Sequence, residues 1–102
     1  MSYEDTLIAL ADPTRRQVFE RLRGGPLPVN VLARGLPVSR PAVSQHLKVL
    51  KNAGLVDERS QGTRHLYSVR REGLTALRDW IDSFWSEALE AFKREVEKPE
   101  GA

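Results

Sequence analysis

Arg40, Ser44, Gln45 and Lys48 fall within a stretch, residues 39 to 53, that contains no acidic side chain. Wound as an α-helix at about 100° per residue from Arg40, this stretch divides into two faces. Arg40, Pro41, Ser44, Gln45, Lys48, Lys51 and Asn52 share one, and Ala42, Val43, His46, Leu47, Val49 and Leu50 share the other. The second face is built to pack, which leaves the first to solvent or a ligand. Its residue types define the chemistry it offers. Arginine and glutamine make bidentate hydrogen bonds to guanine and adenine edges, and Ser39 and Ser44 suit phosphate or short base contacts. Lys48 suits a phosphate backbone, and a bound phosphate would relieve the repulsion between Lys48 and Lys51. A merely solvated helix face is the competing reading.

Charge is segregated along the chain although its net value is only +2. Residues 39 to 71 carry seven basic side chains against Asp57 and Glu58, residues 72 to 102 carry four against eight acids, and residues 1 to 38 are nearly balanced. A positive middle suits a polyanion, and the acidic end leaves another surface for another task. The inventory for catalysis is poor: no cysteine, two separated histidines, no glycine-rich phosphate loop and no convincing acid pair. His46 falls on the packing face and reads as a partly buried hydrogen-bonding residue. His65 suits phosphate or plain surface exposure equally. The lack of cysteine and of a leader or long apolar run makes the cytoplasm the expected location, with no membrane association.

One domain is expected from 102 residues. Tyr3 to Ala11 is a short amphipathic stretch. Asp12-Pro13 opens the next helix as cap and first-turn residue, and Gly24-Gly25 ends it. Pro28 to Arg34 is a brief helical candidate without a capping side chain. Gly35 to Val38 breaks the pattern, Ser39 restarts it as a cap, and Gly54 ends it. Two helices joined by such a turn make a helix-turn-helix over about residues 28 to 53. Leu55 to Arg59 and Arg64 to Val69 read as the strands of a two-stranded hairpin, with Gly62 in the turn, and the wing spans about 55 to 69. Arg59 and Arg64 extend the basic character onto it, where arginine suits the phosphate backbone or a narrow minor groove. From about Leu74 to Glu97 a long helix is predicted, with Pro99 and Gly101 beyond its end. The fold class is mainly α with a small β component.

Asp12-Pro13-Thr14-Arg15, the run Val38 to Leu50, Ala53-Gly54-Leu55-Val56 and the Gly62-to-Tyr67 wing resemble the ArsR-type winged-helix repressors, over roughly residues 4 to 97. The resemblance implies a homodimeric repressor on double-stranded DNA, with one recognition helix in each major groove of a partly palindromic operator. Carried onto this chain, it places DNA contacts at Ser39, Arg40, Ser44, Gln45 and Lys48, with neighbouring Pro41, and at Arg59, Arg64 and His65 on the wing. Family members that sense metals use cysteines near the helix-turn-helix or histidines and acids on the last helix. This chain has no cysteine, and residues 72 to 102 hold no histidine. A thiolate or imidazole site cannot be assembled there, so no metal response and no cofactor are expected.

On the last helix Leu74, Leu77, Trp80, Ile81, Phe84, Trp85, Ala88, Leu89, Phe92 and Val96 form an apolar stripe covering about half of the circumference. A domain this small cannot bury all of it, so a partner subunit is expected, with Leu7, Ile8 and Ala11 completing the interface. Trp80, Phe84 and Trp85 could also line a pocket for an apolar effector between subunits, although aromatics at helical spacing are more often interface core. The alternative function is a winged-helix module that binds protein and not DNA. Steep loss of affinity with salt would distinguish a DNA binder from it.

Overall fold

The computed structural model describes residues 2–98, so Pro99 and Gly101 lie outside the described residues. Helix α1 spans Tyr3–Ala11, and its cap Ser2 accepts from the Asp5 amide. Asp12 ends α1 and caps α2, Pro13–Arg21, by accepting from the Arg15 N–H at 3.0 Å. That bond, helped by the positive charge of Arg15, holds the Asp12 carboxyl below its usual range. A single tight turn over Leu22–Gly24 follows, and the chain leaves it through Gly25.

Strand β1, Leu27–Pro28, was not anticipated. It lies antiparallel to β3, Arg64–Val69, with Leu27 opposite Tyr67 and Pro28 opposite Leu66. The wing is therefore the outer part of a three-stranded sheet of order β1-β3-β2, not a two-stranded hairpin alone. Pro28 is tolerated because β1 is an edge strand, where a missing N–H costs no ladder bond. The same residue then precedes α3, Val29–Ala33, without a capping side chain.

Helix α4, Arg40–Asn52, has Ser39 as cap and Pro41 in its first turn. Gly54 follows its end at a φ of 79°. Strand β2, Val56–Gln61, pairs with β3 from Val56 opposite Val69 to Gln61 opposite Arg64. This leaves a two-residue turn of Gly62 and Thr63, with positive φ confined to Gly62, the position that a type II′ hairpin turn reserves for glycine.

The core sits where α1, α2, α3, α4 and the base of the sheet converge. Val18, Leu22, Leu32, Val43, Leu47, Leu50 and Leu55 are fully enclosed there. Val49 departs from expectation: at the edge of the apolar face of α4, it is 38% exposed.

Helix α5, Arg71–Glu97, starts three residues earlier than predicted. Glycine disfavours helix interiors, yet Gly73 in this first turn is required by packing. A Cβ on it would stand 2.3 Å from the Gly54 carbonyl oxygen. The Arg70 N–H donates to Leu55 O at 2.8 Å beside this contact, so the start of α5 is locked against the end of α4. Further along, α1 covers α5: Tyr3 stacks on Trp80 with ring centroids 5.1 Å apart, and Trp80 meets Phe84 edge-on at 5.0 Å. The chain extends over 70 × 26 × 22 Å with a radius of gyration of 19.0 Å. A compact chain of this length would have about 13 Å, so α5 projects well beyond the core.

Candidate nucleic-acid interface

The buried face of α4 fixes what its other face presents. Val43, Leu47 and Leu50 have no accessible surface, so the helix cannot roll without breaking the core. Ser39, Arg40, Pro41, Ser44, Gln45 and Lys48 are consequently all exposed. Ser39 Oγ accepts from the Ala42 N–H at 3.3 Å, an acceptor role that leaves its O–H free to donate. Among the described residues, no side-chain hydrogen bond or ion pair to protein engages Arg40, Ser44, Gln45 or Lys48. His46 is half-buried on the packing side, as its position on the wheel predicts.

The wing residues separate according to strand register. Side chains alternate across a strand, so Arg59 and Arg64 share one face with Gln61 and Leu66, while His65 shares the other with Glu58, Ser60 and Tyr67. Arg59, Arg64 and His65 are all exposed. His65 differs from the two arginines because its Nδ1 lies 3.0 Å from Glu58 Oε1 and 3.5 Å from Ser60 Oγ. Burial, with the Glu58 charge adding to it, raises the pKa of the neighbouring Tyr67 hydroxyl.

Glu58 carries a role that the sequence reading missed. Its Oε2 accepts from Lys51 Nζ at 3.2 Å, so one carboxylate joins the last turn of α4 to the wing. Lys51 therefore already has a carboxylate of its own chain beside it, whereas Lys48 has none among the described residues. Exposed pairs of this kind contribute little to stability, roughly 0 to 1 kcal/mol. The pairing rests on hairpin geometry seven residues away, and no local signal could have revealed it. Arg70 is likewise occupied, 4.0 Å from Asp57 and 3.6 Å from Glu72.

Arg40, Arg64 and His65 line one cleft together with Asn30 and Thr63, bringing the start of α4 and the tip of the wing to a common opening. Asn30, exposed at the start of α3, is a further polar group on this surface. Its signal in sequence was faint: it is the one polar residue in an otherwise apolar five-residue helix. Among the described residues, no group of three or more His, Asp or Glu side chains is placed to hold a metal ion, and no helix is long and apolar enough to cross a membrane.

The second surface is apolar. Ile8, Ile81, Phe84, Trp85, Leu89 and Phe92 are each more than half exposed. Leu7, Ala11 and Ala88 are exposed beside them, whereas Leu77 and Trp80 are half-buried against the rest of the chain. Tyr3, stacked on Trp80, extends this surface and was not among the expected interface residues.

A family model described as a helix-turn-helix domain matches residues 10–59. HTH-type transcriptional regulator Rv2034 of Mycobacterium tuberculosis is 57% identical over 89 residues, covering 87% of this chain and 83% of that protein. The crystal structure of an ArsR family transcriptional regulator superposes with a TM-score of 0.73 at 31% identity, covering 88% of this chain and 94% of the other. The solution structure of the homodimeric winged helix-turn-helix DNA-binding domain of Mb0332 from Mycobacterium bovis superposes with a TM-score of 0.66 at 28% identity, covering 82% and 78%.

Proposed function

Because the chain belongs to the ArsR family of winged helix-turn-helix transcription regulators, we propose that it reads its operator as a homodimer through the exposed face of α4. The single observation that carries this reading is the division of α4. One side is locked into the core, and the other offers Arg40, Ser44, Gln45 and Lys48 without a protein partner among the described residues. Arg40 and Gln45 read base edges in the major groove, Ser39, Ser44 and Lys48 hold phosphates, and Pro41 sets the entry of the helix. Arg59 and Arg64 follow the backbone or enter the adjacent minor groove. His65, held by Glu58, reaches phosphate at the edge of that contact.

The dimer forms through α5 and α1, with Leu7, Ile8, Ala11, Leu77, Trp80, Ile81, Phe84, Trp85, Ala88, Leu89 and Phe92 at the interface. Its support is physical: this exposed apolar face is contiguous and lies on a helix that projects past its own core. Two copies would place their α4 helices about 34 Å apart, one turn of B-DNA. Occupied operator excludes polymerase, which makes the regulator a repressor. Operator binding requires no metal, since no thiolate or imidazole set is available to sense one.

Selection of bound sites from random DNA, followed by footprinting in the presence of a metal chelator, tests the reading. The expected result is a partly palindromic site with half-sites one helical turn apart, bound with affinity that falls steeply as salt rises. Failure to enrich any sequence, or binding indifferent to salt, would favour a protein-interaction module.

A further inference from the structure

A cavity of about 660 Å³, open on one side, lies between α1, α2, the turn after α2, β3 and the first turn of α5. Its size falls within the roughly 300 to 1,000 Å³ of sites for small organic ligands. It shares no residue with the proposed DNA surface, touches the apolar stripe of α5 only at Leu74, and does not involve Trp80, Phe84 or Trp85. Its walls have two chemistries. Phe19, Leu22, Val69 and Leu74 supply an apolar floor, while Arg16, Arg23 and Arg71 stand around it with Glu20 as the one acid. The Arg16 guanidinium is tied to Leu10 O at 3.0 Å. Arg23 and Arg71 are exposed and, among the described residues, form no ion pair.

An apolar floor under surplus arginines is complementary to a ligand with a hydrocarbon body and an anionic head. Arginine matches a carboxylate bidentately, and the floor removes the hydrocarbon from water. We propose that this cavity binds a single-chain or small aromatic carboxylate and that the bound ligand alters operator affinity. The coupling has a structural route. Val69 ends the strand that carries the wing, Arg71 and Leu74 begin the helix that carries the dimer face, and Phe19 lies on α2, which packs against α4. A ligand spanning these elements touches the wing strand, the start of the dimer helix and the helix behind α4, whose relative placement bears on the spacing of the two reading helices. Whatever it does to operator affinity, the operator must do to its affinity in return. This regulatory consequence rests on the DNA-reading function proposed above, whereas the binding site itself does not.

Titration calorimetry on the full chain without DNA, using decanoate and decanol below their aggregation limits, tests the site. Decanoate should bind saturably. Decanol should bind at least about tenfold more weakly, and the double variant Arg23→Ala/Arg71→Ala should weaken decanoate by about tenfold or more. Leu74→Trp, which fills the floor, should abolish binding while leaving the circular-dichroism spectrum intact. The site is refuted by absence of saturable decanoate binding, as when a second subunit already fills the cavity, or by equal affinities for acid and alcohol. It is also refuted if the double variant binds decanoate unchanged. In a second arm, saturating decanoate should shift operator affinity, and an unchanged affinity would overturn the regulatory role. Loss of operator binding in the absence of decanoate would fault the DNA reading instead.

Discussion

Helices α4 and α5 are both amphipathic, but they leave opposite faces uncovered. In α4 the apolar side is sealed by the core of its own chain, with Val43, Leu47 and Leu50 at zero exposure, and the polar side stays free. In α5 Gly73 is its buried residue, and Phe84, Trp85, Leu89, Phe92 and Val96 are 56 to 68% exposed. A free polar, cationic face has a partner in a polyanion such as DNA, and water satisfies it meanwhile. A free apolar face of that size is satisfied only by another apolar surface. Under the proposed function the contrast divides the labour of the fold: one helix is held rigidly so that its surface can read, and the other projects so that it can be covered.

Substitutions on the two helices should therefore fail in different ways. The largest effect is expected from Leu47→Ala, which opens a cavity beneath the reading helix. It should lower folding stability by roughly 2 to 5 kcal/mol, read from urea unfolding. Trp85→Ala removes a larger side chain, yet within one subunit that chain is 67% exposed and packs against little. It should leave the folded spectrum of the subunit unaltered and raise the dimer dissociation constant by about 30-fold or more, measured by sedimentation at several concentrations. If Trp85→Ala instead destabilised the subunit as Leu47→Ala does and left the dimer intact, the proposed contrast would collapse.

The smallest effect concerns the elbow between α1 and α2, which joins the apolar surface to the core. The Asp12 carboxylate accepts the Arg15 N–H, so its pKa is lower in the folded chain than in the unfolded one. A depressed carboxylate stabilises the fold above the ordinary unfolded value of about 3.9, and the contribution vanishes as pH falls through the lower folded value. Asp12→Asn keeps an oxygen acceptor for the cap and loses only the charge. The wild-type chain should thus be modestly more stable than the variant at pH 7, with the gap closing as pH falls below 4. A gap that persists in acid would place the effect in packing and not in charge.

The reading helix was legible in sequence because its signals are local. Ser39 as cap, Gly54 after the end, and the angular separation of Leu47 from Gln45 all lie within sixteen residues. Gly62 marked the wing turn, but β2 runs to Gln61, two residues further than predicted, because Ser60 and Gln61 find partners in His65 and Arg64 across the hairpin. Strand β1 was not legible: two residues carry no periodicity, and one of them is a proline, so only its pairing with β3 defines it. The early start of α5 depends on a contact between Gly73 and Gly54, distant in sequence, which turns a poor helix former into the residue that fits. In the sequence Glu58 is one of two acids diluting a basic segment, but its contact with Lys51 joins the wing to the last turn of α4, and its contact with His65 joins the two wing strands. Local chemistry could be read directly, whereas contacts across elements could not.

The claim that the free face of α4 reads sequence is tested most directly by comparing Gln45→Ala with the wild-type chain on operator and on random DNA at one salt concentration. Loss of a bidentate base contact should cost roughly 1 to 3 kcal/mol on the operator and almost nothing on random DNA, narrowing the ratio between them. Equal losses on both would contradict base reading by Gln45 and reduce its role on α4 to holding the backbone.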